Sequence, residues 1–106
     1  MIEFIVIFIT APSCDEAEKI GRALVGKKLV ACVNIIKDIR SIFWWEGKIS
    51  DEKEILLIAK SKKDNFERIE NEVKKVHSYE VPEIIALPIL YGSKDYLNWV
   101  EKETKS

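Results

Sequence analysis

At 106 residues, 47 % of them apolar, the chain has the length and composition of one globular domain spanning 1–106. Its 17 basic and 18 acidic residues nearly cancel, so no basic excess marks a face for nucleic acid. The longest apolar run, Phe4 to Ile9, is too short to span a bilayer, and the first residues lack the order of a signal peptide. The cytoplasm is the expected compartment, with no membrane partner.

Glu3 to Thr10 is a β-branched apolar run that predicts a central strand with both faces covered, ended by Pro12. Ser13 stands three residues before Glu16, the spacing of a capping box. The following helix carries Ala17, Ile20, Gly21 and Leu24 on one stripe and closes at Gly26-Lys27-Lys28.

Leu29 to Trp45 predicts one long strand, with a bulge or bend at Lys37-Asp38-Ile39-Arg40. Glu46-Gly47-Lys48 suits a hairpin turn, and the chain returns as a strand over Lys48 to Lys60. Asp64 is the expected cap of a second helix with the stripe Phe66, Ile69, Val73 and Val76. Glu83 to Leu90 predicts a fourth strand, in which Pro88 marks an edge position or a kink. Tyr91-Gly92 turns the chain, and Ser93 caps a last short helix bearing Tyr96, Leu97 and Val100.

The order βαββαβ plus a C-terminal helix predicts an α+β, ferredoxin-like fold: a four-stranded antiparallel sheet with helices on one face. Following the chain direction, three distant pieces meet at one end of that sheet. They are the exit of the first strand (Thr10 to Cys14), the Trp44-Trp45-Glu46-Gly47 hairpin, and the exit of the second helix (His77 to Glu83). Cys32 starts the second strand at the other end. A strand of about seven residues rises roughly 23 Å, whereas disulfide Cα atoms lie within about 7 Å. Cys14 and Cys32 are therefore expected to be free, with Cys32 in the core.

His77 is the lone histidine, and Glu80, Glu83 and Cys14 fall at the same end of the sheet. Two roles fit His77: capping carbonyls at a helix terminus, or donating to a borderline metal. Two also fit Cys14: a thiolate favoured by helix-terminal amides that binds a soft metal, or a solvent-facing side chain without a role. Trp44 and Trp45 are adjacent on a strand and so face opposite sides, one into the core and one toward a neighbouring subunit. No Gly-rich phosphate loop, HExxH motif or nucleophile elbow is present, so the chain is not expected to be an enzyme.

Five segments resemble hallmark stretches of the CutA divalent-cation tolerance proteins. They are Ile9-Thr10-Ala11-Pro12, Leu29-Val30-Ala31-Cys32-Val33-Asn34, Ile42-Phe43-Trp44-Trp45-Glu46-Gly47-Lys48-Ile49, His77-Ser78-Tyr79-Glu80-Val81-Pro82-Glu83-Ile84 and Asp95-Tyr96-Leu97-Asn98-Trp99. They run in the family's order across nearly the whole chain.

The resemblance implies a ferredoxin-like fold, a homotrimer joined through long hairpins, and a part in tolerance to divalent metals, copper above all. It implies no required cofactor, with copper or another divalent cation as ligand. Family members credited with copper binding carry a cysteine at position 9 and histidines at 76 and 77; here Ile9, Val76 and His77 stand there. The expected metal donors are then His77, Cys14, Glu80 and Glu83. The alternative is a trimeric regulatory protein that binds a small effector between subunits, similar to nitrogen-regulatory signalling proteins.

Overall fold

In the computed structural model, which describes residues 2–105, the backbone runs β1 (Phe4–Ala11), α1 (Cys14–Gly26), β2 (Cys32–Trp45) and β3 (Lys48–Lys62). A 3₁₀ turn (Lys63–Asn65) follows, then α2 (Phe66–Val76), β4 (Ile84–Pro88) and α3 (Lys94–Glu103). The sheet order is β2-β3-β1-β4 and every pairing is antiparallel, which is the expected α+β, ferredoxin-like arrangement.

Alternation along the strands separates the two faces of the sheet. Ile5, Ile7 and Ile9 of β1 point with Ile55, Leu57 and Ala59 of β3 toward the helices. There they meet Ala17, Ile20 and Leu24 of α1, and Ile69 and Val73 of α2. Burying each large aliphatic side chain stabilises the fold by about 1.5–3 kcal/mol. Val6, Phe8, Leu56 and Ile58 face the other way and are only half-buried; Ile36, Ile85 and Leu87 beside them are exposed. The apolar run of β1 predicts cover on both faces, and within this chain only one face receives full cover.

Local chemistry accounts for most boundaries. Ser13 Oγ accepts from the Glu16 amide at 3.2 Å, one half of the expected capping box. The other half is missing, because the Glu16 carboxylate accepts instead from the amide and hydroxyl of Ser78, both at 3.0 Å. Lys28, at φ 57°, turns the chain after α1, so Leu29 and Val30 are buried in a loop and β2 starts at Cys32. The predicted bulge falls between Ile36 and Ile39, with Asp38 at φ 62°. Glu46 and Gly47 both take positive φ, as a two-residue hairpin turn matched to strand twist requires. Pro88 lies on β4, an edge strand.

Four expectations need correction. Ser93 stands at the N-cap position of α3, but its side chain makes no capping hydrogen bond. Asp64 does not cap α2; it sits inside the 3₁₀ turn, and α2 begins after Asn65 without a side-chain cap. Asn65 is instead fully buried, donating to Ser61 Oγ and to the Lys105 carbonyl, because it must hold the chain end against β3. Cys32 is not core: it pairs with Lys60 on the face away from α1 and α2 and is half-exposed. Neither Trp44 nor Trp45 enters the core, at 72 % and 45 % exposed, because the hairpin runs beyond β1 and both helices.

Candidate functional site

β1 and β3 part company at the Ala11–Ile55 rung, while β2 and β3 stay paired out to Trp45 and Lys48. The result is a two-stranded ribbon projecting from one end of the sheet. Arg40 spans it with a fork to Asp51, Nε to Oδ1 at 2.8 Å and Nη2 to Oδ2 at 2.5 Å. That bond holds the Asp51 carboxyl below its usual range. Apolar side chains crowd the ribbon surface: Ile42, Trp44 and Ile49 are each more than 60 % exposed.

The segment after α2 folds against the ribbon base. His77 Nε2 donates to the Thr10 carbonyl at 2.7 Å, and Nδ1 accepts from the Tyr79 amide at 3.0 Å. Glu16 Oε2 lies 3.3 Å from Nδ1, and the imidazole side chain is fully buried. Tyr79 stacks tilted on His77 at 5.0 Å between centroids and donates its hydroxyl to Glu54 at 3.0 Å. Burial first, then the Glu54 hydrogen bond and charge, push the Tyr79 phenol up to about 12.

Between ribbon and segment lies an open cleft of about 950 Å³. Phe43, Trp44, Trp45 and Tyr79 wall it; Glu52, Glu54, Glu80 and Glu83 line it; Thr10, Ser41, Ser50 and Ser78 add small polar groups. No lysine or arginine is among its lining residues.

The expected convergence of the first strand's exit, the hairpin and the second helix's exit is thus present. Of the four expected metal donors, Glu80 and Glu83 line the cleft, and His77 backs it with both ring nitrogens engaged inside the fold. Cys14, the first residue of α1, is exposed and outside the lining. Among the described residues, no three His, Cys, Asp or Glu side chains gather as a metal would need. The copper positions implied by resemblance do not fit a copper site either. Ile9 is fully buried, and Val76 packs against the core.

Sequence reasoning missed Tyr79, Glu54 and the Glu16–Ser78 clasp. One signal was available: Glu54 directly precedes Leu56 and Ile58 on one strand face, an acid next to apolar neighbours.

The family model described as CutA1 divalent ion tolerance protein matches residues 5–103. The chain belongs to the CutA family. The divalent-cation tolerance protein CutA of Archaeoglobus fulgidus is 49 % identical over 96 residues, covering 91 % of this chain and 93 % of that protein. Its counterpart in Thermus thermophilus is 42 % identical, covering 93 % of this chain and 96 % of its own. Among solved structures, CutA1 of Oryza sativa superposes with a TM-score of 0.95 at 38 % identity, covering 98 % of this chain and 95 % of that one. The Thermus thermophilus structure reaches 0.94 at 41 %, covering 96 % and 99 %.

Proposed function

We propose that this CutA chain is a homotrimeric metal-response protein, not an enzyme, that takes divalent cations weakly at the cleft beside the ribbon. One observation carries the assembly: the second face of the sheet is apolar and lacks full cover within the chain. Ile36, Ile85 and Leu87 are exposed on it, and the ribbon carries exposed Ile42, Trp44 and Ile49 on its other face. Exposed apolar area of this kind marks a protein interface. The two free thiols suit a reducing compartment such as the cytoplasm.

Glu80 and Glu83 are the first donors to a cation, and oxygen ligands suit hard or borderline ions. His77 joins only if the Tyr79 amide leaves Nδ1, and Cys14 only across a subunit boundary. Two measurements on the wild type test the reading: mass by light scattering in dilute solution, and copper(II) titration by calorimetry. Three chain masses and a weak uptake that falls in the Glu80→Gln/Glu83→Gln variant support it. A monomer rejects the assembly, and no uptake rejects the metal reading.

A second reading, a regulatory trimer that binds a small effector, is favoured by the cleft itself, whose size and aromatic walls match small-molecule sites. The cluster Lys60, Lys62 and Lys63 offers no phosphate cradle to such an effector. Lys60 bonds Asn34, Lys62 is buried on the Thr104 carbonyl, and Lys63 pairs with Glu3.

A further inference from the structure

A closed ring of three identical chains is held by a heterologous contact, in which each chain offers two different surfaces that fit each other. The ribbon end offers one. Phe43, Trp45 and Tyr79 wall its cleft, and Phe43 and Trp45 share with Glu52 the strand face that continues into Leu56 and Ile58. The cleft and the uncovered side of the sheet are thus one surface, aromatic and acidic at the ribbon. No lysine or arginine is among the residues lining it there. A second copy of the same patch would set acid against acid, so its complement lies elsewhere on the chain.

The opposite end of the sheet carries that complement. β4 passes the Ile5–Pro88 rung, the Ile89 amide donates to the Phe4 carbonyl, and the chain turns through Leu90, Tyr91 and Gly92 into α3. Leu90 and Tyr91, at 82 % and 89 %, are the most exposed large apolar side chains among the described residues. Their turn is pinned, since a Cβ at Gly92 would come within 3.0 Å of the Leu97 side chain. The apolar knob is therefore preorganised for a contact that the chain alone does not make. Lys94, the first residue of α3, is exposed beside it. Among the described residues neither Lys94 nor Glu52 forms an ion pair.

We propose that segment 90–94 of one chain seats in the ribbon cleft of the next, so that the chains join head to tail. Leu90 and Tyr91 pack on Phe43 and Trp45, and Lys94 meets Glu52. Apolar knob meets aromatic cleft and free cation meets unpaired acid, the complementarity that fixes partner and register. The inference rests on the assembly reading above and names the two surfaces that meet. It does not use Glu80 or Glu83.

Zero-length carbodiimide coupling of the whole protein, read by mass spectrometry of its peptides, tests this directly. Tyr96 of α3 is hydrogen-bonded to Cys32, the rung partner of Lys60. Lys60 stands about 26 Å along β3 from Glu52. A Glu52–Lys94 amide therefore joins two chains, and it is expected in the wild type. Light scattering over a dilution series, in fixed moderate urea, supplies the second readout. Lys94→Glu is expected to raise the concentration at which the assembly dissociates about tenfold or more, because like charges then face each other. Adding Glu52→Lys to that variant is expected to restore it. Tyr91→Ser is expected to raise it by a similar factor through lost packing. Lys19→Glu on the exposed surface of α1 is the control and leaves it unchanged. Circular dichroism of each variant verifies its fold.

An assembly that yields no Glu52–Lys94 amide, or in which Lys94→Glu acts no more than Lys19→Glu, overturns the head-to-tail contact and leaves the assembly reading standing. A wild type that is monomeric without urea overturns both.

Discussion

The Nε2 of His77 lies 2.7 Å from the carbonyl oxygen of Thr10, tying the residue that ends α2 to the end of β1 across 67 positions of sequence. The opposite ring nitrogen accepts from the Tyr79 amide, so one buried imidazole satisfies two backbone groups at once. Replacing it by alanine leaves a buried carbonyl and an amide without partners, a cost of about 1–3 kcal/mol for each group left unmet. His77→Ala is therefore expected to lower the urea midpoint with little change in slope. His77→Gln, which keeps a donor near Thr10, is expected to recover part of the loss. Equal midpoints for wild type and His77→Ala would show that the ring is dispensable to the fold.

Much of this end of the molecule is legible in the sequence, because strand and helix directions follow from periodicity. The β1 run, the α1 and α2 stripes and the Glu46-Gly47 turn together place Thr10, Trp44 and His77 on one side. What periodicity cannot show is where a long polar side chain goes once it arrives. Glu16 has the spacing of a capping box, yet its carboxylate reaches Ser78 in a distant segment. Asp64 is a plausible cap by type, yet Asn65 takes the cap position and its side chain turns inward to Ser61 and the chain end. The two tryptophans illustrate the same limit, since alternation assigns opposite faces without telling whether a helix lies over either.

Tyr79 gives a pH dependence with a definite sign. Its phenol is pushed up to about 12, through burial first and the Glu54 interaction second, so the folded state holds this proton more tightly than the unfolded state. The associated stability is complete below about pH 10, the ordinary tyrosine value, and is lost as pH rises toward 12. Because Tyr79 is about a third exposed, solvent screening reduces the effect. Tyr79→Phe is expected to flatten the fall in melting temperature between pH 10 and 12. Spectrophotometric titration is expected to lose part of its late-ionising component in the same variant, the rest belonging to Tyr96, which burial also raises.

Glu72 acts at the other extreme of pH. Its carboxylate meets Lys27 at 2.9 Å and Lys75 at 3.8 Å with little exposed surface, and the Lys27 hydrogen bond holds it below the usual carboxylate range. A depressed carboxyl contributes stability that is present above its unfolded value, near 4.5, and disappears as pH falls through the folded one. Glu72→Gln is expected to cost stability at pH 7 and to match the wild type once the medium is acid enough to protonate both states. A constant difference from pH 7 down to pH 2 would assign the loss to packing rather than charge.

The uncovered sheet face makes the sharpest demand on the assembly. Ile85 and Leu87 of β4 are each just over half exposed in the isolated chain and point away from α1 and α2. A charged residue at either place meets water if the chain is alone and meets apolar surface if a neighbour packs there. Ile85→Glu is therefore expected to leave the far-ultraviolet dichroism intact while shifting the light-scattering mass from that of the proposed trimer toward one chain. Trp44→Ser on the ribbon is expected to act the same way and more weakly if the ribbon only adds to that contact. Retention of the full mass by Ile85→Glu would place the subunit contact elsewhere. The apolar side chains of β1, β3 and β4 that face away from the helices would then need a different cover.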